Sequence, residues 1–408
     1  MDPTKPLRGI RVLELCGYIS GPYATSILAA LGAEVVKVEP PKGGDAFRRN
    51  ADVGSFYFVQ YNAGKKSIAV DLKRPEGVAL VRKLAPQFDV VIENNRPGKM
   101  AALGLGPDEI RRLAPSTIYM SVSGFGDGGP WRDRAAYDSI GQSMGAIYSI
   151  MNDPGDARLS GTCIGDLTTA LMACMGILAG LVGRSLDAKK DGMEIRTSIL
   201  EAMSAITIDA VTQYAESGVT PTRESRHPQG NNFCLRTADG EAITIHLSSS
   251  QKFWTGLTKA MQRPDLAADA RFARYNDRMA HYFELQPIVT AEFLKETRAE
   301  WERRLVEHDV PFAPVMTVAT LMTDPQMQWL DMAAPTTDGN RLVRPPWRFA
   351  GERPARNFAA PHVGEHTREI AASVLSPHEI DQLVASGVIA EHDGRKAAAK
   401  TEMSLAGE

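Results

Sequence analysis

The sequence is short of the features that mark several function classes. Its four cysteines, Cys16, Cys163, Cys174 and Cys234, are scattered over 408 residues. No pair has metal-ligand or redox spacing, so they read as reduced core residues, and neither a disulfide scaffold nor a zinc module is expected. The net charge is only −3, which gives no basic surface for nucleic acid and no polybasic segment for a membrane. No apolar run reaches the roughly 20 residues that a membrane helix wants. The opening Met-Asp-Pro-Thr-Lys-Pro-Leu-Arg has no apolar h-region, so a cytoplasmic protein is expected. No histidine occurs before His227, which removes the commonest general base from the N-terminal half.

What is present is a 43% hydrophobic chain long enough for two domains. Its N-terminal half alternates strand and helix signals. Strands are expected at Gly9–Leu15, Ala33–Glu39, Ser67–Leu72, Asp89–Glu93 and Thr117–Ser123, with helices at Tyr23–Leu31, Pro75–Leu84 and Pro107–Leu113. That order predicts an α/β fold with a doubly wound parallel sheet. The first turn reads Gly-Tyr-Ile-Ser-Gly-Pro and does not match Gly-x-Gly-x-x-Gly, so NAD is not expected.

Beyond the sheet, Gly124–Pro130 reads as a glycine-rich loop that could act as a lid, followed by a helix over Ser139–Met151. A strand at Met193–Ser198 and a helix at Ile199–Glu216 follow. A hairpin is expected around Ala238-Asp239-Gly240, with helices at Gln251–Met261 and Leu285–Glu307 and an extended Val310–Val315. Ser376-Pro-His-Glu379 has the pattern of a capping box, and residues 393–408 read as a disordered tail.

The stretch that organises the chain is Gly161-Thr-Cys-Ile-Gly-Asp166 and the apolar helix after it. From Leu167 to Val182 only Thr168 and Thr169 are polar, which predicts a helix buried all round. Gly176 and Gly180 would let another backbone approach. Asp166 has two compatible readings. It is an N-cap, or it is a carboxylate nucleophile kept anionic by the helix N-terminus and sheltered by the core. Asp138, also near a helix start, is read first as a cap.

An ordered set of motifs now supports a family reading. Leu7-Arg-Gly-Ile-Arg-Val-Leu-Glu-Leu, Ser20-Gly-Pro, Leu31-Gly-Ala-Glu-Val-Val-Lys-Val-Glu, Asn62-Ala-Gly-Lys-Lys-Ser-Ile-Ala-Val-Asp-Leu-Lys73, Glu93-Asn-Asn-Arg-Pro-Gly98 and Gly165-Asp166 together resemble the class III CoA-transferase family. That family includes formyl-CoA transferase, carnitine CoA-transferase and the α-methylacyl-CoA racemases. The resemblance implies ring-like subunits in an interlocked homodimer, with a large Rossmann-like domain built from both chain ends and a small α+β domain between. On this chain the boundaries would be 1–216 and 325–392 for the large domain, 217–230 for a linker and 231–324 for the small domain.

The same resemblance implies coenzyme A as acyl-CoA cosubstrate, small carboxylic acids as the other substrates, no metal, and Asp166 as the catalytic carboxylate. CoA contacts would fall on Ile19, Ser20, Val70, Lys73 and Asn94, with Arg96 and Lys99 added from charge. Asp138 would support catalysis, and Tyr137, which stands where the racemases carry histidine, would join the CoA-binding residues. Asp166 would attack a donor thioester to give an anhydride, then an aspartyl-CoA thioester, and the acceptor acid would reverse the steps; no general base is needed if the carboxylates are already ionised.

Two departures narrow the reading. The segment His227-Pro-Gln-Gly-Asn-Asn232 replaces the tetraglycine loop of formyl-CoA transferases, which speaks against formate and oxalate. Ile19 replaces a glutamine that contacts the reacting group in some members. The alternatives are an α-methylacyl-CoA racemase, which needs a second base on the opposite face of the α-carbon, and a non-catalytic CoA-binding homologue.

Overall fold

The computed structural model describes residues 2–49, 55–335, 341–356 and 358–392. The chain forms two compact units. One comprises Met1–Tyr148, Leu159–Asp209 and Leu330–Glu408; the other comprises Ser149–Arg158 and Ala210–Trp329.

The first unit is built on the strand–helix alternation. Its strands are β1 (Arg11–Leu15), β2 (Glu34–Glu39), β3 (Lys66–Val70), β4 (Val90–Glu93), β5 (Ile118–Ser123) and β6 (Glu194–Ser198). They lie in the order β3-β2-β1-β4-β5-β6, all parallel, and a short C-terminal strand, Ile389–Ala390, adds antiparallel to β3 at the edge. Apolar residues point to both faces, as a parallel sheet covered by helices requires. Leu13, Val36, Ile68 and Val91 join one core with Leu80, Leu84 and Ile370. Val12, Val35, Val90 and Ile92 join another with Ile27, Leu28, Ala173 and Ile177.

The chain runs outward from β1 to β3, then returns to place β4 on the other side of β1. The loops after β1 and β4 therefore diverge at the carboxyl ends of adjacent strands and leave a crevice, the usual ligand position in such sheets. The helix after β1 begins earlier than expected, at Ser20 rather than Tyr23, and ends at Ala30.

The helix carrying Asp166 runs from Ile164 to Leu186, 23 residues. By length and composition it is apolar enough to cross a membrane, and half of its most apolar window is buried inside the fold. The expected all-round burial is not found, because Leu171, Met175, Val182 and Leu186 are exposed. Nor do Gly176 and Gly180 admit another backbone. A Cβ at either would meet side chains of the sheet, Met120 and Ile195 at Gly176 and Ile195 and Ile118 at Gly180.

Three expected helices are interrupted. Ser139–Met151 becomes Asp138–Met144 and Ile147–Met151, separated where Ala146 takes φ +66°. Ile199–Glu216 becomes Ile199–Ile206 and Ile208–Ser217. Leu285–Glu307 becomes Tyr282–Phe293 and Arg298–Glu307, because Thr297 caps the second piece by accepting from the Glu300 N–H. The capping box at Ser376 and Glu379 forms as expected. The proposed tail, 393–408, lies outside the described residues.

In the second unit the hairpin strands β7 (Asn232–Arg236) and β8 (Ala242–His246) pair antiparallel, and β9 (Phe312–Pro314) adds to β8. Its core holds Trp254 and Trp301. The Trp301 ring stacks on Phe293 at 4.0 Å, and its indole N–H donates to the Phe293 carbonyl at 2.9 Å, so the polar atom of a buried aromatic is satisfied. Of the four cysteines Cys16 and Cys174 are buried, but Cys163 is half-buried and Cys234 is exposed, so the core reading fails for the last two; all four are free.

Candidate active site

Asp166 lies inside the first turn of its helix, two residues after Ile164, and the N-cap position belongs to Cys163, whose side chain makes no capping bond. The simple cap reading of Asp166 is therefore set aside. The residue is half-buried. Burial, and after it the charge of Asp138, push the Asp166 carboxyl up to about 7. The expectation that the helix N-terminus would hold it low is not met, because burial and the Asp138 charge both act upward.

Asp138 is the first residue of its own helix, with Tyr137 as N-cap. It caps nothing on that helix; instead it reaches the other acid. Asp138 Oδ1 accepts the main-chain N–H of Asp166 at 3.0 Å, and Asp138 Oδ2 accepts from Gln142 Nε2 at 2.6 Å. The same amide donates to the Thr162 carbonyl at 2.9 Å. Gln142 thus ties the Asp138 helix to the turn that delivers Asp166. The (i, i+4) spacing of Asp138 and Gln142 was readable in the sequence, but nothing there pointed to Thr162.

The crevice at the strand reversal holds two adjoining clefts. One, of about 310 Å³, is lined by Asp166, Tyr137, Ser20, Asn94, Arg96 and Arg134, among others. The second, of about 490 Å³, is lined by Val70, Leu72, Lys73, Val38, Met100 and Leu103, among others. Tyr18, Asn95 and Lys99 line both, which makes one trough leading from a carboxylate to an apolar recess with a lysine at its rim.

Most of the residues singled out in the sequence meet along this trough. Ser20, Asn94, Arg96, Lys99, Tyr137 and Asp166 border the first cleft; Val70, Lys73 and again Lys99 border the second. Ile19 and Asp138 do not line it. Ile19 is the N-cap residue of the Ser20–Ala30 helix and makes no side-chain cap. Asn94 is already committed to the first turn. Its Oδ1 accepts from the Gly17 N–H at 3.0 Å, and its Nδ2 donates to the Gly17 carbonyl at 2.8 Å and the Ser20 hydroxyl at 3.2 Å. Lys99 Nζ donates to Asn95 Oδ1 at 2.8 Å. Sequence reasoning missed Tyr18 and Arg134. Tyr18 takes φ +63°, a conformation rare for a non-glycine residue and invisible to composition.

A third cleft on this sheet is lined by Glu93, Glu109, Glu194 and Glu201 as well as Arg132 and Arg196. Its acids suit a polyanionic substrate less than the trough does. No group of three or more histidine, cysteine, aspartate or glutamate side chains placed to hold a metal occurs among the described residues.

The trough joins Asp166 to Arg96, Arg134, Lys99 and Lys73, and comparison with known proteins supplies its class. The profile of CoA-transferase family III matches residues 7–367. The chain belongs to that family. Among family relatives, the succinyl-CoA:glutarate CoA-transferase of Mus musculus is 33% identical, over 96% of this chain and 92% of its own length. The succinyl-CoA–D-citramalate CoA-transferase of Chloroflexus aurantiacus is 34% identical, over 93% and 96%. A CaiB/BaiF family protein from Brucella suis superposes with a TM-score of 0.79 at 30% identity, covering 91% of this chain and all of that one. A Mycobacterium tuberculosis protein gives 0.81 at 28%, with coverage of 91% and 100%. The family III chain is thus a transferase enzyme that uses CoA thioesters and carboxylic acids.

Proposed function

We propose that this family III enzyme moves CoA from a donor acyl-CoA to a free dicarboxylic acid, with Asp166 as the covalent carrier. The observation that carries this reading is that Asp166, half-buried, borders a cleft that shares Tyr18, Asn95 and Lys99 with the neighbouring apolar recess. A carboxylate sealed in the core could not have served.

The Asp166 carboxylate attacks the thioester carbonyl, the C–S bond breaks, and the electron pair leaves on the CoA sulfur as thiolate. The thiolate then attacks the Asp166 side-chain carbonyl, forming an aspartyl thioester and releasing the donor acid. An acceptor carboxylate takes the same path backwards and restores Asp166. Each step exchanges one acyl bond for another, so no water and no net proton are consumed. The partial burial that raises the Asp166 pKa also limits hydrolysis of the anhydride. With its pKa at about 7, Asp166 is only partly ionised at neutral pH, so the expectation of a fully anionic nucleophile is revised.

Dicarboxylic substrates are supported by two facts. The relatives named above act, by their names, on succinyl-CoA, glutarate and D-citramalate, and the Asp166 cleft is bordered by Arg96 and Arg134. The Arg134 guanidinium sits over the Trp131 ring at 4.0 Å, which orients it without neutralising it. A racemase reading would need a base facing Asp166, and Tyr137 occupies the place of that base. The interlocked homodimer stays part of the proposal, supported by the exposed apolar strip Leu171, Met175, Val182 and Leu186.

The test is trapping during turnover. Succinyl-CoA plus glutarate, quenched with hydroxylamine or borohydride and analysed by peptide mass spectrometry, should label Asp166 alone. Label on another residue, or α-deuterium uptake from solvent without acid exchange, would replace this reading.

A further inference from the structure

We propose that Asp45, anchored by the buried Lys37, is a positioning residue that holds the Tyr18 turn as the shared wall of the CoA trough. This rests on the transferase reading for the identity of the ligand, but its geometry is independent of Asp166.

Beneath the first turn lies a chain of charges with almost no access to solvent. Lys37 Nζ is 2.7 Å from Glu14 Oε1, with both side chains 0% exposed, and 2.9 Å from Asp45 Oδ2, with Asp45 at 2%. Its remaining donor goes to the Cys16 carbonyl at 2.8 Å. Glu14 Oε2 in turn binds Lys65 Nζ at 2.7 Å, and Lys65 also donates to the Pro22 carbonyl and Asn62 Oδ1, both at 2.9 Å. Buried ion pairs are poor sources of net stability, and their retention invites a question about what they position.

Asp45 answers it. Its Oδ1 accepts the main-chain N–H of Tyr18 at 3.2 Å and that of Phe47 at 2.9 Å, while Oδ2 faces Lys37. Tyr18 is held at φ +63°, a conformation that a tyrosine abandons unless its surroundings enforce it. Gly17, just before it, packs where a Cβ would sit 3.4 Å from Asp45 Oδ1. The Tyr18 ring then stands 6.1 Å from Phe47 and 6.0 Å from Tyr137 and borders both clefts. One carboxylate, itself at the edge of the second cleft, thus fixes a strained turn, and the turn shapes the passage between the apolar recess and the Asp166 end.

The experiment measures CoA affinity by titration calorimetry on the full chain, with KM and kcat alongside and far-UV circular dichroism to confirm folding. Asp45→Ala is expected to weaken CoA about tenfold or more and raise KM for acyl-CoA, with kcat at saturation little changed. Asp45→Asn, which keeps an oxygen for Tyr18, should restore affinity to within about threefold. Lys65→Met disturbs the same buried network away from Asp45, and should lower Tm without altering CoA affinity. If Asp45→Ala does not fold, Asp45→Ser, whose hydroxyl is too short to span the same gap, takes its place with the same expected loss. A folded Asp45 variant with parental CoA affinity, failure of the Asn rescue, or an equal loss in Lys65→Met overturns the inference. Absence of CoA binding by the parent protein would instead overturn the transferase reading.

Discussion

The main-chain N–H of Asp166 donates to Asp138 Oδ1 across 3.0 Å, so the two acids of the site are joined through the backbone of one and the side chain of the other. The arrangement fixes where the Asp166 side chain starts and places a like charge beside it. The same contact therefore positions Asp166 and adds, after burial, to the upward shift of its carboxyl.

Replacing Asp166 by asparagine should abolish transfer and leave CoA binding intact, while making the protein more heat-stable above neutral pH. The sign follows from its raised pKa of about 7. A carboxyl raised in the folded state contributes stability below its ordinary value, and that contribution is lost as pH rises through the folded value. Thermal unfolding of the two proteins should coincide near pH 4 and separate by about 1–3 °C at pH 8. Retained turnover would discard Asp166 as carrier.

The pH dependence of kcat/KM for the acyl-CoA should show an acid limb with its midpoint near 7, falling about tenfold per pH unit below it. Asp138→Asn keeps an acceptor for the Asp166 N–H but removes the charge, so the limb should move to lower pH. Burial is the larger cause of the shift, so the limb should stop short of the ordinary aspartate range. A limb that moves upward would refute the assigned role of Asp138.

Gly165→Ala should damage catalysis without touching a functional group. Its Cβ would lie 3.0 Å from Asp138 Oδ1, 3.1 Å from the Asp138 carbonyl and 3.2 Å from Ile199 Cγ2. Something must shift, and Asp138 is the neighbour whose place matters. The expected outcome is a loss in kcat of about ten- to a hundredfold, with CoA affinity near parental. Unchanged kcat in a folded variant would show that the acids tolerate displacement.

Arg134→Met should discriminate against dicarboxylic substrates. Loss of a charge-assisted contact is worth about 1.5–3 kcal/mol, so kcat/KM for succinyl-CoA should drop about ten- to a hundredfold, with a much smaller effect on butyryl-CoA. Equal effects on both would assign Arg134 to the CoA moiety.

Acid should loosen the sheet through Glu14. Burial alone would raise this carboxyl, but Lys37 and Lys65 hold it down at about 2, against an ordinary 4.5. Its contribution, of order a few kcal/mol, is present in full above the ordinary value and is lost as pH falls toward the folded one. Urea unfolding between pH 6 and pH 2 should show that loss. In Glu14→Gln, less stable at neutral pH, the dependence should be shallower.

The sheet was legible because a buried parallel strand is a short apolar run, and Val12-Leu13, Val35-Val36 and Val90-Val91-Ile92 declare themselves locally. Asp166 was legible as a carboxylate opening an apolar helix. Helix interruptions were not. At Ala146 and Thr297 the break comes from one residue's backbone angle or cap, which an apolar period does not register. The exposed strip of Leu171, Met175, Val182 and Leu186 was misread for a related reason: apolar composition says that a surface avoids water, not what covers it.

From sequence alone came the strand order along the chain, the acid at the helix entrance and the cations near the loops, all governed by interactions between residues close in the chain. Tertiary structure decided which of them share a trough, that Asp138 binds the Asp166 backbone, and that burial raises the Asp166 carboxyl. Desolvation and charge act through space. The reversal of strand order at β1 brings loops and helices together that the linear chain keeps tens of residues apart.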